Sequence, residues 1–316
     1  MKSFEEVYRE IQAHLFSLEE LRKNQRYRMW IFILSWILVF FIGILFFLTG
    51  KETVILIALF IIIGYGIVAL IYGRKAIYKF KQTYKDIVIG PLVRAIGPGL
   101  QYQKNNYINS DRYYESRIFL QTADRYIGED YVYGMIDKTA IEFSELHTEY
   151  RTQDEDGKSH YHTIFKGLFL VADFHKDFKG KYFVLSNSGN KTMGFSRKLF
   201  RHMGIKYGKP IMLENIEFAK HFSVFGTDPV EVRYILSTNT MQRLLDFSLR
   251  TGKNISISFV KSWIFIAIPY KKEVFEPNYR KSVVNEEKTR EYFNDLKMAI
   301  GIVEDLNLNT RIWSKQ

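Results

Sequence analysis

Two apolar runs near the start of the chain constrain its fold more than any other feature. They cover residues 29–48 and 53–72, each is twenty residues long, and neither contains Asp, Glu, Lys, Arg or His. About twenty apolar residues, at 1.5 Å of helical rise each, cross the roughly 30 Å hydrocarbon core of a bilayer. Because only four residues separate the runs, they predict a transmembrane hairpin over residues 29–72, with both chain ends on one side of the lipid bilayer.

Basic residues around the hairpin predict its orientation. Cytoplasmic flanks of membrane helices are enriched in Lys and Arg, whereas the linker between the runs holds only Lys51, beside Glu52. We therefore expect a protein of the cell's inner membrane, with two spans and both termini cytoplasmic. The nine flanking cations are Arg22, Lys23, Arg26, Arg28, Arg74, Lys75, Lys79, Lys81 and Lys85.

Charge and cysteine content exclude several classes of function. The chain has 45 Lys and Arg against 34 Asp and Glu, a net charge of +11. Without the nine flanking cations, 36 basic residues remain against 34 acidic ones. The basic balance therefore reflects topology, and we expect no nucleic-acid partner. The absence of cysteine excludes disulfides, thiolate catalysis and cysteine-based metal sites.

Helical periodicity predicts that both spans continue beyond the membrane as a stalk. Apolar residues recur at alternating three- and four-residue steps, which gives each helix a coiled-coil-like seam. We expect an amphipathic stalk helix over residues 1–28 and a stalk helix and linker over residues 73–99, ended by Gly90-Pro91 and Gly97-Pro98-Gly99. The seam positions are Phe4, Val7, Ile11, His14, Leu18 and Leu21 upstream, and Ile77, Phe80, Tyr84 and Ile87 downstream.

Residues 100–316 are expected to form a cytoplasmic α+β domain with a mixed, mainly antiparallel sheet. Strand and helix signals are interspersed without a regular βαβ repeat, which is typical of that class. The turn-forming residues 154–158 join two long strands into a hairpin. The strand candidates are residues 131–151, 159–174, 181–186, 254–260 and 263–268.

Two helices of this domain have capping signals. Asp228 precedes Pro229, a favourable first helical residue, and Asn285 precedes a final helix. Gly252 follows the last turn of a helix that contains Met241, Leu244, Leu245 and Leu249 on one face. The apolar face predicted for the final helix is Tyr292, Leu296, Ala299, Val303 and Leu306.

Histidines of the long hairpin come nearest to a metal site. His160 and His162 alternate along one strand and so share a face, and His147 lies on the partner strand. If Asp156-Gly157 is a two-residue turn, the numbers of paired residues sum to 313, which places a cation opposite two of the three histidines. The predicted pairs are His162 with Arg151, His160 with Gln153, and His147 with Lys166.

Asp173, His175 and Asp177 also alternate, and such groups could bind a metal or transfer protons. Phe174 and Phe178 supply apolar contacts between them, which favours the exposed end of a strand. We therefore predict no catalytic, cofactor-binding or metal-ligating residue, and no cofactor.

Two stretches resemble a bacterial family known only as a domain of unknown function. They are residues 116–146 and 221–270, followed by Phe275-Glu276. The resemblance implies an N-terminal membrane hairpin and a cytoplasmic α+β domain, and it assigns no catalytic residue. Its most distinctive phrases are Gly128-Glu129-Asp130, which we interpret as a turn entering a strand, Phe165-Lys166-Gly167, and residues 228–234.

The sequence favours a non-enzymatic, membrane-anchored binding or scaffolding protein with a protein partner. A membrane tether, a sizeable domain and the lack of a catalytic constellation motivate this prediction. Two alternatives stay open, namely a domain that binds lipid headgroups and a hydrolase-like enzyme that uses the His and Asp strand residues. Small residues in the second apolar run, which suit close helix contacts, also leave a homo-oligomer open. They are Gly64, Gly66, Ala69 and Gly73.

Overall fold

The structure, a computed structural model, describes residues 2–47, 52–175, 177–187 and 206–305. Contacts divide the chain into two compact units. The stalk unit comprises Lys2–Pro91 and Glu276–Arg290, and the sheet unit comprises Leu92–Phe275 and Glu291–Gln316. Residues 48–51, from the end of the first apolar run into the linker, lie outside the described residues.

Two long antiparallel helices build the stalk unit, α1 over Phe4–Phe47 and α2 over Glu52–Tyr84. Both are long and apolar enough to cross a membrane, judged by length and composition. Both continue beyond their apolar runs, as predicted. Within the apolar part, the hydroxyl groups of Ser35 and Tyr65 share a hydrogen bond of 2.6 Å, which joins the two helices.

The apolar seam of α1 differs from the predicted seam at two positions. His14 and Leu21 are exposed, and Leu15 and Arg22 are buried instead. The five intervals between successive buried residues from Phe4 to Arg22 average about 3.6 residues, which is the period of a straight α-helix. The predicted steps averaged only about 3.4 residues and would have drifted around the helix. The buried seam is Phe4, Val7, Ile11, Leu15, Leu18 and Arg22.

The second stalk helix does not end at Gly90-Pro91, contrary to the prediction. A π-helical turn, Lys85–Ile89, follows α2, and α3 continues over Gly90–Ile96. The π turn widens the helix where the proline ring would otherwise press on the carbonyl four residues earlier. The helix then ends before Gly97-Pro98, the second predicted stop.

A segment from far along the chain, Glu276–Arg290, belongs to the stalk unit. The Val283 N–H donates to the Glu19 carboxylate at 3.0 Å, and Arg22 donates to the Tyr279 carbonyl at 3.1 Å. The Tyr279 ring also meets the Phe80 ring, with centroids 5.2 Å apart. Helical periodicity could not predict these contacts, because the two hydrogen bonds join residues more than 250 positions apart, and the two rings belong to residues 199 positions apart.

Buried ion pairs reinforce this docking. The fully buried Lys85 ammonium lies 3.0 Å from the Glu276 carboxylate, which also contacts Lys81 at 2.5 Å. Glu19 and Arg22 form a second buried pair at 2.6 Å. Each of these buried charges therefore has an opposite charge in contact with it.

One antiparallel sheet organises the sheet unit and confirms the predicted mainly antiparallel fold. The described residues contribute β1 Leu100–Gln103, β2 Arg125–Ile136, β3 Thr139–Gln153, β4 Ser159–Asp173, β5 Lys181–Ser186, β6 Lys209–Pro210, β7 Phe222–Gly226, β8 Ser256–Val260 and β9 Trp263–Pro269. Their spatial order is β1-β2-β3-β4-β9-β8-β5-β7-β6. One face of this sheet carries an aromatic core around Tyr113, Phe169 and Phe265.

In the described ranges, the other helices are α4 Ser110–Glu115, α5 Ile216–His221, α6 Pro229–Ile235, α7 Thr238–Thr251 and α8 Glu286–Asp305. Two predicted caps are confirmed, because Asp228 accepts from the Val230 N–H at 2.8 Å and Asn285 from the Lys288 N–H at 2.8 Å. Gly252 ends α7 with a left-handed φ of 62°, as predicted.

Two details of the predicted helices are different. Ser237 caps α7 as a separate helix, since its side chain accepts from the Thr240 N–H. Leu249 is exposed, and Phe247 is buried in its place. In α8, Tyr292, Leu296 and Ala299 are buried as predicted, whereas the Val303 side chain and Leu306 lie outside the described residues.

Candidate functional site

The long β3–β4 hairpin extends past the strand that flanks it. β4 pairs with β9 only over Gly167 to Asp173, and β9 ends at Pro269. Pro269 has no N–H to donate to a strand ladder. The next residue makes the last backbone contact with β4, because the Tyr270 N–H donates to the Lys166 carbonyl at 2.9 Å. In the part of the chain that the structure describes, no strand pairs with the outer side of β4 before Gly167.

Backbone hydrogen bonds show which groups point to this open side. The Asp154 N–H donates to the Lys158 carbonyl at 3.0 Å, so this pair closes the ladder at the turn. Bonded and non-bonded pairs alternate along an antiparallel ladder. Ser159, Tyr161 and Thr163 therefore turn both their N–H and C=O groups away from β3. We call this stretch, Ser159 to Thr163, the open edge.

The opposite side of the hairpin is closed. The Asp124 carboxylate accepts from the Arg151 N–H at 2.7 Å, and the Asp124 N–H donates to the Glu149 carbonyl at 2.8 Å. Asp124 thus engages two outward groups of β3, the Arg151 N–H and the Glu149 carbonyl, across the hairpin from the open edge of β4. Residues of β3 therefore serve as controls for residues of β4 on the same hairpin.

Side-chain contacts hold the hairpin tip in one conformation. The Arg125 guanidinium lies 3.4 Å from the centre of the Tyr161 ring, and the Tyr150 and His162 rings stack at 5.0 Å. A lone two-stranded ribbon is marginally stable in water, so such cross-strand contacts are needed to pre-organise it. The open edge is therefore held extended by contacts on both faces of the ribbon.

The predicted register is wrong at the tip and correct further down. His162 pairs with Tyr150 and His160 with Thr152, one residue away from the predicted partners, whereas His147 pairs with Lys166 as predicted. The turn holds three residues and not two, because Gly157 adopts a left-handed φ of 78° after a tight turn. A bulge beside Thr148 then restores the predicted register.

The three hairpin histidines do not converge on a common point. His160 contacts the Asp154 carboxylate at 3.0 Å, and His162 contacts the Thr152 hydroxyl at 2.8 Å. His147 lies 3.5 Å from the Glu149 carboxylate. Each imidazole therefore has a separate neighbour on its own part of the hairpin, an arrangement typical of polar strand residues.

Asp173 and His175 come together, but Asp177 does not join them. His175 Nδ1 lies 3.3 Å from the Asp173 carboxylate, and its Nε2 lies 3.2 Å from the Thr139 hydroxyl. Asp177 is exposed and takes no part in this pair. The Asp173 carboxylate therefore orients the His175 imidazole at the end of β4. The backbone of His175 adopts a left-handed φ of 58°.

A buried acidic cluster lies at a bulge between β2 and β3. Gly128-Glu129-Asp130 is not a turn entering a strand, because it lies inside β2, where the pairing shifts between Glu129 and Val132. The shift leaves Asp130 with a left-handed φ of 60° and brings it beside Glu145 of β3. One carboxylate oxygen from each of Glu129, Asp130 and Glu145 lies within 4.8 Å of the others.

Protein donors already engage this cluster. The Tyr102 hydroxyl donates to Asp130 at 2.5 Å, and the Val274 N–H donates to Glu145 at 2.8 Å. Burial, together with the smaller effect of the charges of Asp130 and Glu129, raises the pKa of Glu145 to about 8. Oxygen ligands of this kind suit Mg²⁺ or Ca²⁺, but two of the three carboxylates already accept from protein donors. We therefore assign no metal to it.

A family model matches part of the chain. Residues 163–308 match the model of a family described as "Protein of unknown function (DUF3137)". The predicted resemblance to a family of unknown function is thereby confirmed. The matched region begins at Thr163, the last residue of the open edge, and includes Phe165-Lys166-Gly167 of β4 and the capped helix α6. No curated protein matches the chain.

One solved structure is similar in part. It is the crystal structure of the mycobacterial trehalose monomycolate transport factor A, TtfA, with 12% sequence identity and a TM-score of 0.32. The match covers 66% of this chain and 93% of that chain. We infer nothing about this chain from a likeness of that size.

Proposed function

We propose that this chain is a non-enzymatic, membrane-anchored binding protein. In this proposal, α1 and α2 anchor it in the inner membrane with both termini cytoplasmic, and the open edge of β4 takes up an extended segment of a protein partner. The basic flanks of the two apolar runs support the orientation. The open edge supports the binding role, and it is the observation that carries the proposal.

The physical reason is backbone chemistry. Ser159, Tyr161 and Thr163 present N–H and C=O groups in one row, and a strand that pairs with them gains main-chain hydrogen bonds. The incoming strand would pair with β4 in the position next to it that β9 occupies only as far as Pro269. Because the ribbon is already held extended, the partner alone loses conformational freedom on binding, which favours affinity.

Photo-crosslinking in the native membrane tests the site. A photoreactive amino acid replaces His160 in one full-length variant and Thr152 in the other. These residues face each other across the hairpin, and both are exposed. We expect a partner product from position 160 in at least about tenfold excess over position 152, because strand addition occurs on the β4 side alone. Equal labelling at the two positions would refute the open edge as the site.

A pair of substitutions at Thr163 separates strand addition from side-chain contact. Thr163→Pro removes an outward N–H that the β3 ladder does not use, whereas Thr163→Val keeps that N–H and removes the hydroxyl. We expect the product from position 160 to disappear in the proline variant and to persist in the valine variant. Loss in both variants, or in neither, would contradict recognition through the backbone.

A further control identifies the occupant. The membrane hairpin and residues up to 99, fused to an unrelated domain, should give none of the product. A product with twice the mass of the chain would show that a second copy occupies the edge, and this outcome would replace the protein partner by a homo-oligomer.

A further inference from the structure

A groove runs between α1 and α2 within their apolar part. It encloses about 450 Å³, inside the roughly 300–1,000 Å³ range of small-molecule sites. Gly66, Ala69 and Gly73 of α2 lie along it and leave the space open. The other lining residues are Met29, Phe32, Ile33, Trp36, Leu70, Tyr72, Arg74 and Ile77.

Contacts across the helices fix the shape of the groove. The Trp36 indole N–H donates to the Ile62 carbonyl at 3.2 Å. A Cβ atom at Gly66 would come within 3.2 Å of that indole nitrogen, so glycine keeps the two helices close here. Gly64, two residues earlier, has nothing within 4 Å of the equivalent position and does not line the groove.

Charge distinguishes one end of the groove from the rest. Among the described residues that line it, Arg74 is the only cation, and its side chain is exposed. Lys75 follows directly and is also exposed, but it does not line the groove. A guanidinium at the mouth of an apolar groove matches a ligand that has a hydrocarbon tail and an anionic head.

We propose that this groove binds an anionic phospholipid, with one acyl chain between the helices and its phosphate on Arg74. The inference rests on the membrane anchoring in the proposed function. Aromatic rings of Phe32, Trp36 and Tyr72 give the acyl chain a firm wall, and Arg74 selects the headgroup by a charge-assisted contact. The groove thus provides a lipid site on the anchor itself, separate from the binding edge of the sheet unit.

Photoactivatable lipids test this proposal with the full-length chain in phosphatidylcholine vesicles. A small fraction of phosphatidylglycerol with a photoreactive acyl chain is compared with the same amount of phosphatidylcholine that carries the same chain. We expect labelling of residues 29–36 and 66–74 to be at least about tenfold stronger with phosphatidylglycerol, a difference of about 1.4 kcal/mol. Equal labelling by both lipids would overturn the proposal.

Matched substitutions locate the two halves of the ligand. Arg74→Gln should reduce phosphatidylglycerol labelling to the phosphatidylcholine level, whereas Lys75→Gln should leave it unchanged. Ala69→Phe should abolish labelling of the groove by either lipid, whereas Gly64→Phe should not. Selectivity that survives Arg74→Gln, or is lost equally with Lys75→Gln, would overturn the assignment of the headgroup to Arg74.

Two further measurements separate this proposal from its alternatives. The chain has no cysteine, so Ala69→Cys gives a single thiol, and efficient disulfide dimers in membranes would show that a second copy fills the groove. Alkaline extraction of the membranes tests the anchor. Release of the chain would contradict the proposed function itself, whereas retention without phosphatidylglycerol selectivity would contradict the lipid site alone.

Discussion

Glu145 of the sheet unit and Glu19 of the stalk unit are both buried acids that accept a backbone N–H. Glu145 accepts from Val274 at 2.8 Å, and Glu19 accepts from Val283 at 3.0 Å. Their pKa values nevertheless move in opposite directions. Burial raises the pKa of Glu145 to about 8, whereas hydrogen bonds from Arg22 lower the pKa of Glu19 to about 2.

The difference lies in the charge that accompanies each acid. Arg22 follows Glu19 by three residues on α1, so helical geometry itself brings the cation to the acid. Strand pairing sets Glu145 directly opposite Glu129, and the bulge adds Asp130. Like charges opposite each other in a sheet are destabilising. Burial alone therefore does not determine the ionisation state of a carboxylic acid.

The largest expected effect comes from removing a partner in the stalk unit. Glu276→Gln takes away the carboxylate that contacts the fully buried Lys85 at 3.0 Å. Breaking a buried ion pair costs about 3–5 kcal/mol, so we expect amide hydrogen exchange over residues 276–290 to accelerate by at least about a hundredfold. Exchange measured by mass spectrometry on the full chain in detergent micelles checks this.

The double variant sharpens that test. Adding Lys85→Met to Glu276→Gln removes the buried cation as well, so much of the protection should return. Equal exchange in the single and double variants would show that the paired charge is not what holds the segment.

The second prediction concerns the sheet unit, where we expect the substitution to stabilise the protein instead of destabilising it. The pKa of Glu145 rises from 4.5 to about 8 on folding. Its contribution to stability is therefore full below about pH 4.5 and is lost as the pH rises through about 8. Glu145→Gln cannot ionise, so near about pH 9 it should melt at a higher temperature than the parent chain, with a gain in unfolding free energy of at most about 5 kcal/mol. The difference should vanish towards about pH 5.

Scanning calorimetry of the full chain checks this prediction, with Glu149→Gln on the same strand as a control. Glu149 is less buried than Glu145 and contacts Arg125 at 3.6 Å. We therefore expect no gain at alkaline pH from this control. A melting temperature of the parent chain that rises strongly with added Mg²⁺ or Ca²⁺ would contradict the protonated form and indicate a bound cation.

Local physics explains which parts of the fold the sequence could predict. The caps at Asp228 and Asn285, the end at Gly252 and the hairpin between β3 and β4 depend on a few neighbouring residues, and all are confirmed. The predicted seam of α1 was wrong at His14 and Leu21, because the three- and four-residue steps between apolar positions can follow one another in more than one order. Only the packing of the straight helix selects Leu15 and Arg22.

The candidate sites were harder to predict because they depend on pairing between distant strands. The open edge exists because β9 stops at Pro269, and nothing near Ser159 in the sequence shows which strand will lie beside it. Asp124 closes the other edge from 27 positions away along the chain. A weak signal for the acidic cluster was present, since Glu145 interrupts a stretch of β3 that is otherwise suited to burial.

The smallest expected effect tests whether the contact with Arg22 is what sets the ionisation of Glu19. Because the pKa of Glu19 is lowered from 4.5 to about 2, its contribution to stability is present above about pH 4.5 and is lost as the pH falls towards 2. Glu19→Gln keeps an oxygen for the Val283 N–H but removes the charge that binds Arg22. We expect a loss of about 1.5–3 kcal/mol in the opening free energy near neutral pH, seen as faster exchange at Val283. The parent chain and the variant should converge as the pH approaches about 2. A difference that stays constant over this range would show that the shape of the side chain, and not its charge, holds the segment, and it would remove the contrast with Glu145.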